Sequence, residues 1–122
     1  MQDTLVSSSL TRWLVALGGL LAATSIAMDA YAAHASIGKA SASLHSAAVI
    51  GLCHGIALVV LAPRRQGRLG QIALITMLSG ALLFSGGILA AHILGIHPRT
   101  APFGGGLLIV AWLLYAAEGL RH

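Results

Sequence analysis

This chain of 122 residues is too apolar and too sparsely charged for a water-soluble domain, with 57% hydrophobic residues, 8% charged residues and a mean hydropathy of +0.90. Three acidic and seven basic residues cannot cover the surface of a small globule, so the composition predicts an integral membrane protein. The net charge of +4 does not indicate nucleic-acid binding, because the basic residues are scattered and no aromatic residues are interleaved with them. The single cysteine, Cys53, excludes an intrachain disulfide and a cysteine-rich metal site.

Four apolar runs predict the secondary structure, at about residues 13 to 33, 42 to 62, 71 to 95 and 103 to 119. Each run is close to the roughly 20 residues that cross a bilayer core as a helix. Lipid offers no hydrogen-bond partners, so such runs are helical, and the short segments between them join antiparallel neighbours. The sequence therefore predicts one all-α domain over residues 1 to 122, a compact bundle of four antiparallel transmembrane helices.

The basic residues predict the orientation of these helices in the membrane. The rule that cytoplasmic segments carry the excess of Lys and Arg places both termini in the cytoplasm. That arrangement leaves only Lys39 and Arg99 outside. The residues that it places inside are Arg12, Arg64, Arg65, Arg68 and Arg121. We expect a multi-pass protein of the bacterial inner (cytoplasmic) membrane.

The first apolar run contains an unexpected carboxylate, Asp29. It lies about one turn from the outer end of the predicted helix, where its charge can reach the headgroup region. We expect its partner to be His34 or a residue of another subunit. Arg12, the apolar run and the A-x-A pattern in AYA also resemble a secretory signal peptide. We interpret the run as a transmembrane span, because cleavage would discard the helix that carries Asp29.

Glycines at helical spacing predict where the helices approach one another. Small residues allow close van der Waals packing, which matters in lipid because no hydrophobic effect drives the helices together. The predicted helix-packing positions are Gly18, Gly51, Gly55, Gly86 and Gly87. Glycine-mediated helix packing also joins identical subunits, so a homo-oligomer is an alternative.

The second predicted helix places His54 near the middle of the membrane. A polar side chain at that depth is costly unless it faces the protein and finds a hydrogen-bond partner. We expect His54 to be buried, hydrogen-bonded and neutral, with Ser79, Ser85 or Thr24 as its partner, and we expect Ser85 to be a buried polar residue too. A proton-relay or quinone-contacting role for His54 is the alternative.

Ionisable residues near the predicted outer rim are the candidate metal ligands: Asp29, His34, His45, His92 and His97. Imidazole and carboxylate together suit a transition metal, and Met28 would add a soft thioether beside Asp29. The spacing does not favour a site, because no helix carries two of these histidines four residues apart. Rim histidines that are solvated or cap helix ends are the simpler interpretation, and we predict no cofactor, with metal or haem as the alternative.

Five short motifs resemble those of a known family, in order and spacing. They are DAYAAH at 29 to 34, CHGIAL at 53 to 58, LFSGGIL at 83 to 89, PFGGG at 102 to 106 and AW at 111 to 112. The chain resembles the small inner-membrane family catalogued as domain of unknown function 423, which is related to mitochondrial transmembrane protein 256. It departs from the family pattern where Asp29 replaces a glycine and Gly87 a serine. The resemblance implies a four-helix membrane fold and no established activity.

Three classes of function are compatible with these sequence features. The first is a non-catalytic accessory, assembly or stabilising subunit of a larger membrane complex, for example a respiratory one, and the small size favours it. The second is a metal- or haem-binding redox protein that uses the rim histidines. The third is a small carrier or channel, which normally shows polar residues through the whole membrane depth. The partners expected are the lipid bilayer and other integral membrane subunits, and an enzyme is the less favoured interpretation.

Overall fold

The computed structural model of the chain describes residues 2–35, 38–64, 67–96 and 99–121. These residues form four helices: α1 (Gln2–Ala35), α2 (Lys39–Leu61), α3 (Arg68–Leu94) and α4 (Ala101–Leu120). Each helix contains a segment long and apolar enough to cross a membrane: Ser9–His34, Ser41–Leu61, Arg68–Leu94 and Ala101–Leu120. The predicted all-α fold with four transmembrane helices is confirmed. The first helix begins earlier than predicted, because residues 2 to 12 contain no proline or glycine to stop it.

Glycine and proline set the helix ends. Gly38 precedes α2 with φ 73°, and Gly95 follows α3 with φ 69°. This left-handed region of backbone conformation is accessible to glycine without the clash that a Cβ atom would cause. Pro102 lies in the first turn of α4, where its missing N–H costs no helical hydrogen bond.

The helices pack as two antiparallel hairpins that meet along α2 and α3. Helix α1 lies along α2, α3 lies along α4, and α1 makes a smaller contact with α3. Within the described ranges, α4 packs against α3 alone at the backbone level. One apolar cluster, which includes Leu58, Leu74 and Met77, fills the half of the bundle near the α2–α3 turn, and a second, around Leu44 and Ala47, fills the opposite half.

In the first hairpin, α1 and α2 pack closely at two glycines that face each other, Gly18 and Gly55. A Cβ atom on Gly55 would lie 2.7 Å from the Gly18 carbonyl oxygen and 2.8 Å from the Ala22 nitrogen. A Cβ atom on Gly18 would lie 2.8 Å from Cβ of Leu58. These distances are shorter than van der Waals contact, so α1 and α2 approach as closely as glycine allows. One turn from Gly55, Gly51 touches the Ser25 hydroxyl of α1.

The second hairpin also packs closely at glycines, and one of them, Gly87, was a predicted packing residue. A Cβ atom on Gly80 would lie 2.9 Å from the Gly104 carbonyl oxygen, and Gly87 packs directly against Thr100. Neither Gly80 nor Gly104 was among the predicted packing residues. Gly86 was predicted to be a packing residue, but within the chain it is not. It is exposed, and a Cβ atom there would meet nothing within 4 Å. Gly87, next to it, faces α4 because successive helical residues point about 100° apart.

Candidate functional site

His54 is the buried histidine among the described residues of the membrane spans. It is 8% exposed and lies on α2. Its Nδ1 atom is 2.6 Å from the carbonyl oxygen of Ile50, one turn earlier on the same helix. Its Nε2 atom lies 3.0 Å from the indole nitrogen of Trp112 on α4, which donates the hydrogen bond. Both ring nitrogens therefore have partners within the chain.

These two hydrogen bonds define the tautomer of the His54 ring. A carbonyl oxygen only accepts, so Nδ1 carries the proton that the Ile50 carbonyl receives. The indole N–H of Trp112 only donates, so Nε2 is unprotonated and accepts. The only form that satisfies both partners is the neutral ring with its proton on Nδ1. A charged ring would place a second N–H against the indole N–H and lose that hydrogen bond.

The Trp112 indole connects two helices whose backbones do not touch. The rings of His54 and Trp112 lie 5.9 Å apart, and Tyr115 stands edge-on to Trp112 at 6.4 Å. Trp112 was not among the predicted partners of His54, although residues 111 and 112 carry part of the family resemblance. Helical periodicity places residues on faces of their own helix and says nothing of which side chain reaches across to another.

The hydroxyl groups once expected to bind His54 are used elsewhere. Ser79 donates to the Ile75 carbonyl at 3.0 Å, and Thr24 donates to the Leu20 carbonyl at 2.9 Å, each on its own helix. The expected partners of His54 are thus corrected. Ser85, 3% exposed, donates to the Ala47 carbonyl at 2.8 Å and joins α3 to α2.

Ser25 is the exception among the described hydroxyls of the interior. It is 1% exposed, and its Oγ has no hydrogen-bond partner in the part of the chain that the structure describes. It lies against Gly51 of α2, where the Ser85 hydroxyl is also 3.2 Å from the position of a Gly51 Cβ atom. Contact of a serine oxygen with a glycine Cα–H is a weak interaction typical of closely packed helices. Ser25 thus contributes to the tight seam between α1 and α2.

Asp29 and His45 form an exposed pair near the end of the first hairpin. His45 Nδ1 lies 2.5 Å from Asp29 Oδ1, and the side chains are 63% and 49% exposed respectively. The pair links α1 to α2, so the partner of Asp29 is His45 and not His34 as expected. Beside it is an open cavity of about 650 Å³, and its lining residues are Asp29, Ala32, Ala33, Gly38, Ser41, Ala42 and His45.

The other described candidate ligands do not form a metal-binding group with this pair. His92 contacts Tyr31 instead, with Nε2 3.4 Å from the phenol oxygen and the rings edge to face at 5.5 Å. His34 is exposed, and His97 lies outside the described residues. Met28 is 7% exposed and packs into the apolar cluster with Leu44. In residues 2–35, 38–64, 67–96 and 99–121, no three His, Cys, Asp or Glu side chains are grouped so that they could hold a metal ion.

Glu118 forms the polar contact at the opposite end of the bundle. It is 6% exposed, and its Oε1 accepts a hydrogen bond of 2.7 Å from the backbone N–H of Gly67, the residue before α3. A carboxylate there complements the positive end of the α3 helix dipole. Nothing in the sequence linked Glu118 to Gly67, because the two are 51 residues apart.

Comparison with known proteins assigns the chain to a family. The family described as "Protein of unknown function (DUF423)" matches residues 28–105, which include the Asp29–His45 pair, His54 and the helix-packing glycines Gly51, Gly55, Gly80, Gly87 and Gly104. No curated protein and no solved structure matches the chain. The relation to mitochondrial transmembrane protein 256 stays a prediction. Since the match covers most of the chain and the four helices agree with the family resemblance, the chain belongs to the DUF423 family of membrane proteins.

Proposed function

We propose that this chain is a non-catalytic accessory, assembly or stabilising subunit of a larger complex in the bacterial inner membrane. The observation that supports this proposal is the hydrogen bonding of the His54 ring. Both of its ring nitrogens are bound to groups of the chain itself, Ile50 and Trp112. A ring held in this way stabilises the bundle and leaves no nitrogen to bind a metal or substrate.

The hydroxyl groups of the spans support the same conclusion. Ser85, Thr76 and Ser79 each donate to a backbone carbonyl oxygen, at 2.8, 2.8 and 3.0 Å. A transport pathway uses polar groups that face a cavity and exchange partners with the permeating species. Hydroxyl groups already bound to the backbone favour a structural role over a carrier or channel.

The exposed face of α1 supports contact with another membrane protein. Ala16, Gly19, Ala23 and Ala30 are exposed on α1, and a Cβ atom on Gly19 would meet nothing within 4 Å. Small residues on an outer helix face allow a partner helix to approach closely. Leu20 and Ile26, 61% and 59% exposed, lie beside these small residues on α1. On α4, Ile109 and Leu113 are both 65% exposed and suit contact with lipid acyl chains.

Photo-crosslinking in native membranes tests this role. A benzophenone amino acid replaces Ala23 on α1 in one variant and Ile109 on α4 in the matched control. We expect a crosslinked protein other than this chain from position 23 and only lipid adducts from position 109. Adducts with lipid alone at position 23 would contradict the accessory role, and adducts with a second copy of this chain would replace it with a homo-oligomer.

The proposed orientation has its own test. In a Cys53→Ala background, a membrane-impermeant thiol reagent applied from outside should label Lys39→Cys and leave Arg64→Cys unlabelled. Labelling of Arg64→Cys alone would reverse the topology, with both termini outside.

The redox alternative remains a proposal of lower rank. It uses Asp29 and His45, the two candidate ligands that lie together, and their exposure leaves room for an added metal. Metal analysis of the purified chain, with Asp29→Asn as the comparison, would detect a stoichiometric transition metal that depends on this pair.

A further inference from the structure

One end of the bundle, at the turn from α2 to α3, brings together arginine residues from α1, from the turn itself, from the first residue of α3 and from the residue after α4. The Thr11 hydroxyl contacts the Ala62 carbonyl oxygen at 3.5 Å, which holds the beginning of α1 beside this turn. The Gly67 N–H donates to Glu118 at 2.7 Å, which holds the end of α4 against the same turn. We name this region the arginine end, and its exposed basic residues are Arg12, Arg64, Arg68 and Arg121.

The positive charge of the arginine end is not cancelled by the acids near it. Glu118 is 6% exposed and its carboxylate faces Gly67, so it lies beneath the surface that the arginines form. By sequence position, this end has five arginines and only two acids, Asp3 and Glu118. Basic residues in excess over acidic ones raise the local potential and attract anions.

The arginines lie at the depth of the lipid headgroups. Arg12 is near the beginning of the span Ser9–His34, Arg68 begins the span of α3, and Arg121 directly follows the span of α4. Long basic side chains at the ends of membrane helices extend into the headgroup layer. Guanidinium groups at this depth meet lipid phosphates, with which they form paired hydrogen bonds.

A shallow cavity next to Arg12 has the mixed lining that a phospholipid headgroup requires. Its volume is about 320 Å³, and its lining residues are Ser9, Arg12, Trp13 and Ala16. Trp13 is 63% exposed, and an indole ring prefers the boundary between acyl chains and headgroups. The cavity thus offers a cation and a hydroxyl beside an apolar ring.

The opposite end of the bundle has a different charge pattern. Its described basic residues are Lys39 and Arg99, and it also carries the exposed carboxylate of Asp29. The charge difference between the two ends favours the binding of anionic groups at the arginine end. We propose that the arginine end binds anionic phospholipids through their phosphodiester groups, with Arg12, Arg64 and Arg68 as ligands. This proposal is independent of the accessory role.

Native mass spectrometry of the full chain in nonionic detergent tests this binding. Titration with phosphatidylglycerol should show saturable binding at least ten times tighter than with phosphatidylcholine, and added salt should weaken it. The double variant Arg64→Gln/Arg68→Gln should bind phosphatidylglycerol about 25-fold more weakly, since each basic residue near a membrane surface contributes about fivefold. Circular dichroism confirms that the variant keeps its helices.

The matched control is Lys39→Gln/Arg99→Gln, which removes two charges from the opposite end and should change the affinity less than twofold. Equal retention of the two lipids, or an equal loss in the control, would overturn the proposal. So would complete displacement of phosphatidylglycerol by inorganic phosphate, which would indicate an adventitious ion site only. A polyglutamate peptide that binds more tightly than the lipid would assign the arginine end to an acidic protein segment and would also overturn it.

Discussion

The two imidazoles of α2, His54 and His45, lie nine residues apart and are used in opposite ways. His54 is 8% exposed and bound at both nitrogens, to Ile50 and Trp112. His45 is bound to Asp29 through one nitrogen and has a 63% exposed side chain. In the bundle interior a polar group must have all its partners supplied by the protein, whereas at the rim water completes them. Depth, more than residue type, therefore decides which histidine has a structural role.

The strongest perturbation of the interior site is Gly55→Leu, next to His54. The added side chain would meet the backbone of α1 at Gly18 and Ala22, which cannot move aside as a flexible side chain would. We expect a loss of about 3 kcal/mol or more of stability, at the upper end of what overpacking costs. Thermal unfolding in detergent measures it.

Gly86→Leu is the matched control for Gly55→Leu. The same side chain is introduced on α3 where nothing lies within 4 Å, so the unfolding temperature should be nearly unchanged. Equal losses in the two variants would contradict close packing at Gly55 as the cause, because leucine has a higher helix propensity than glycine and that difference alone would stabilise both variants.

The second perturbation, His54→Leu, removes the imidazole but keeps an apolar side chain in its place. The Trp112 indole N–H loses its acceptor, and an unsatisfied donor costs about 1–3 kcal/mol. We expect a corresponding fall in unfolding temperature and a changed tryptophan fluorescence spectrum. His54→Gln, whose amide both donates and accepts, should recover part of the stability. Full stability of His54→Leu would contradict the structural role.

The third perturbation, Trp112→Phe, keeps an aromatic ring but removes the donor to His54. Hydrogen bonds between membrane helices average about 0.6 kcal/mol, so we expect a loss of roughly that size. Trp13→Phe, at an exposed position of α1, is the control that should leave the unfolding temperature unchanged. An equal effect of the two variants would show that the His54 hydrogen bond contributes nothing specific.

The smallest effect is expected at the rim, from Asp29→Asn. Even when both partners are charged, an exposed pair of this kind contributes about 0–1 kcal/mol and is screened by salt. The unfolding temperature should therefore change little, and any difference from the unmodified chain should disappear in high salt. A loss as large as that of His54→Leu would remove the contrast between interior and rim.

The fold was predictable because its signals are local to the chain. Apolar runs of about 20 residues identify transmembrane helices. Glycine spacing named Gly18 and Gly55 as packing positions, and the structure shows which helix each of them approaches. The polar contacts were less predictable because each depends on how helices distant in sequence are placed. Trp112 reaches His54 across 58 residues, and Glu118 reaches Gly67 across 51. Sequence spacing also did not show that Gly87 packs against α4 whereas the neighbouring Gly86 is exposed.

The glycine contacts also bear on the order in which the bundle is assembled. Gly18 and Gly55 close the first hairpin without any residue of α3 or α4, and Gly80 and Gly104 close the second without any residue of α1 or α2. Each hairpin therefore contains the close contact that it needs as soon as its own two helices have entered the bilayer, as in two-stage folding of membrane proteins. The hydrogen bonds from Ser85 to Ala47 and from Trp112 to His54 form only afterwards, when the two hairpins dock.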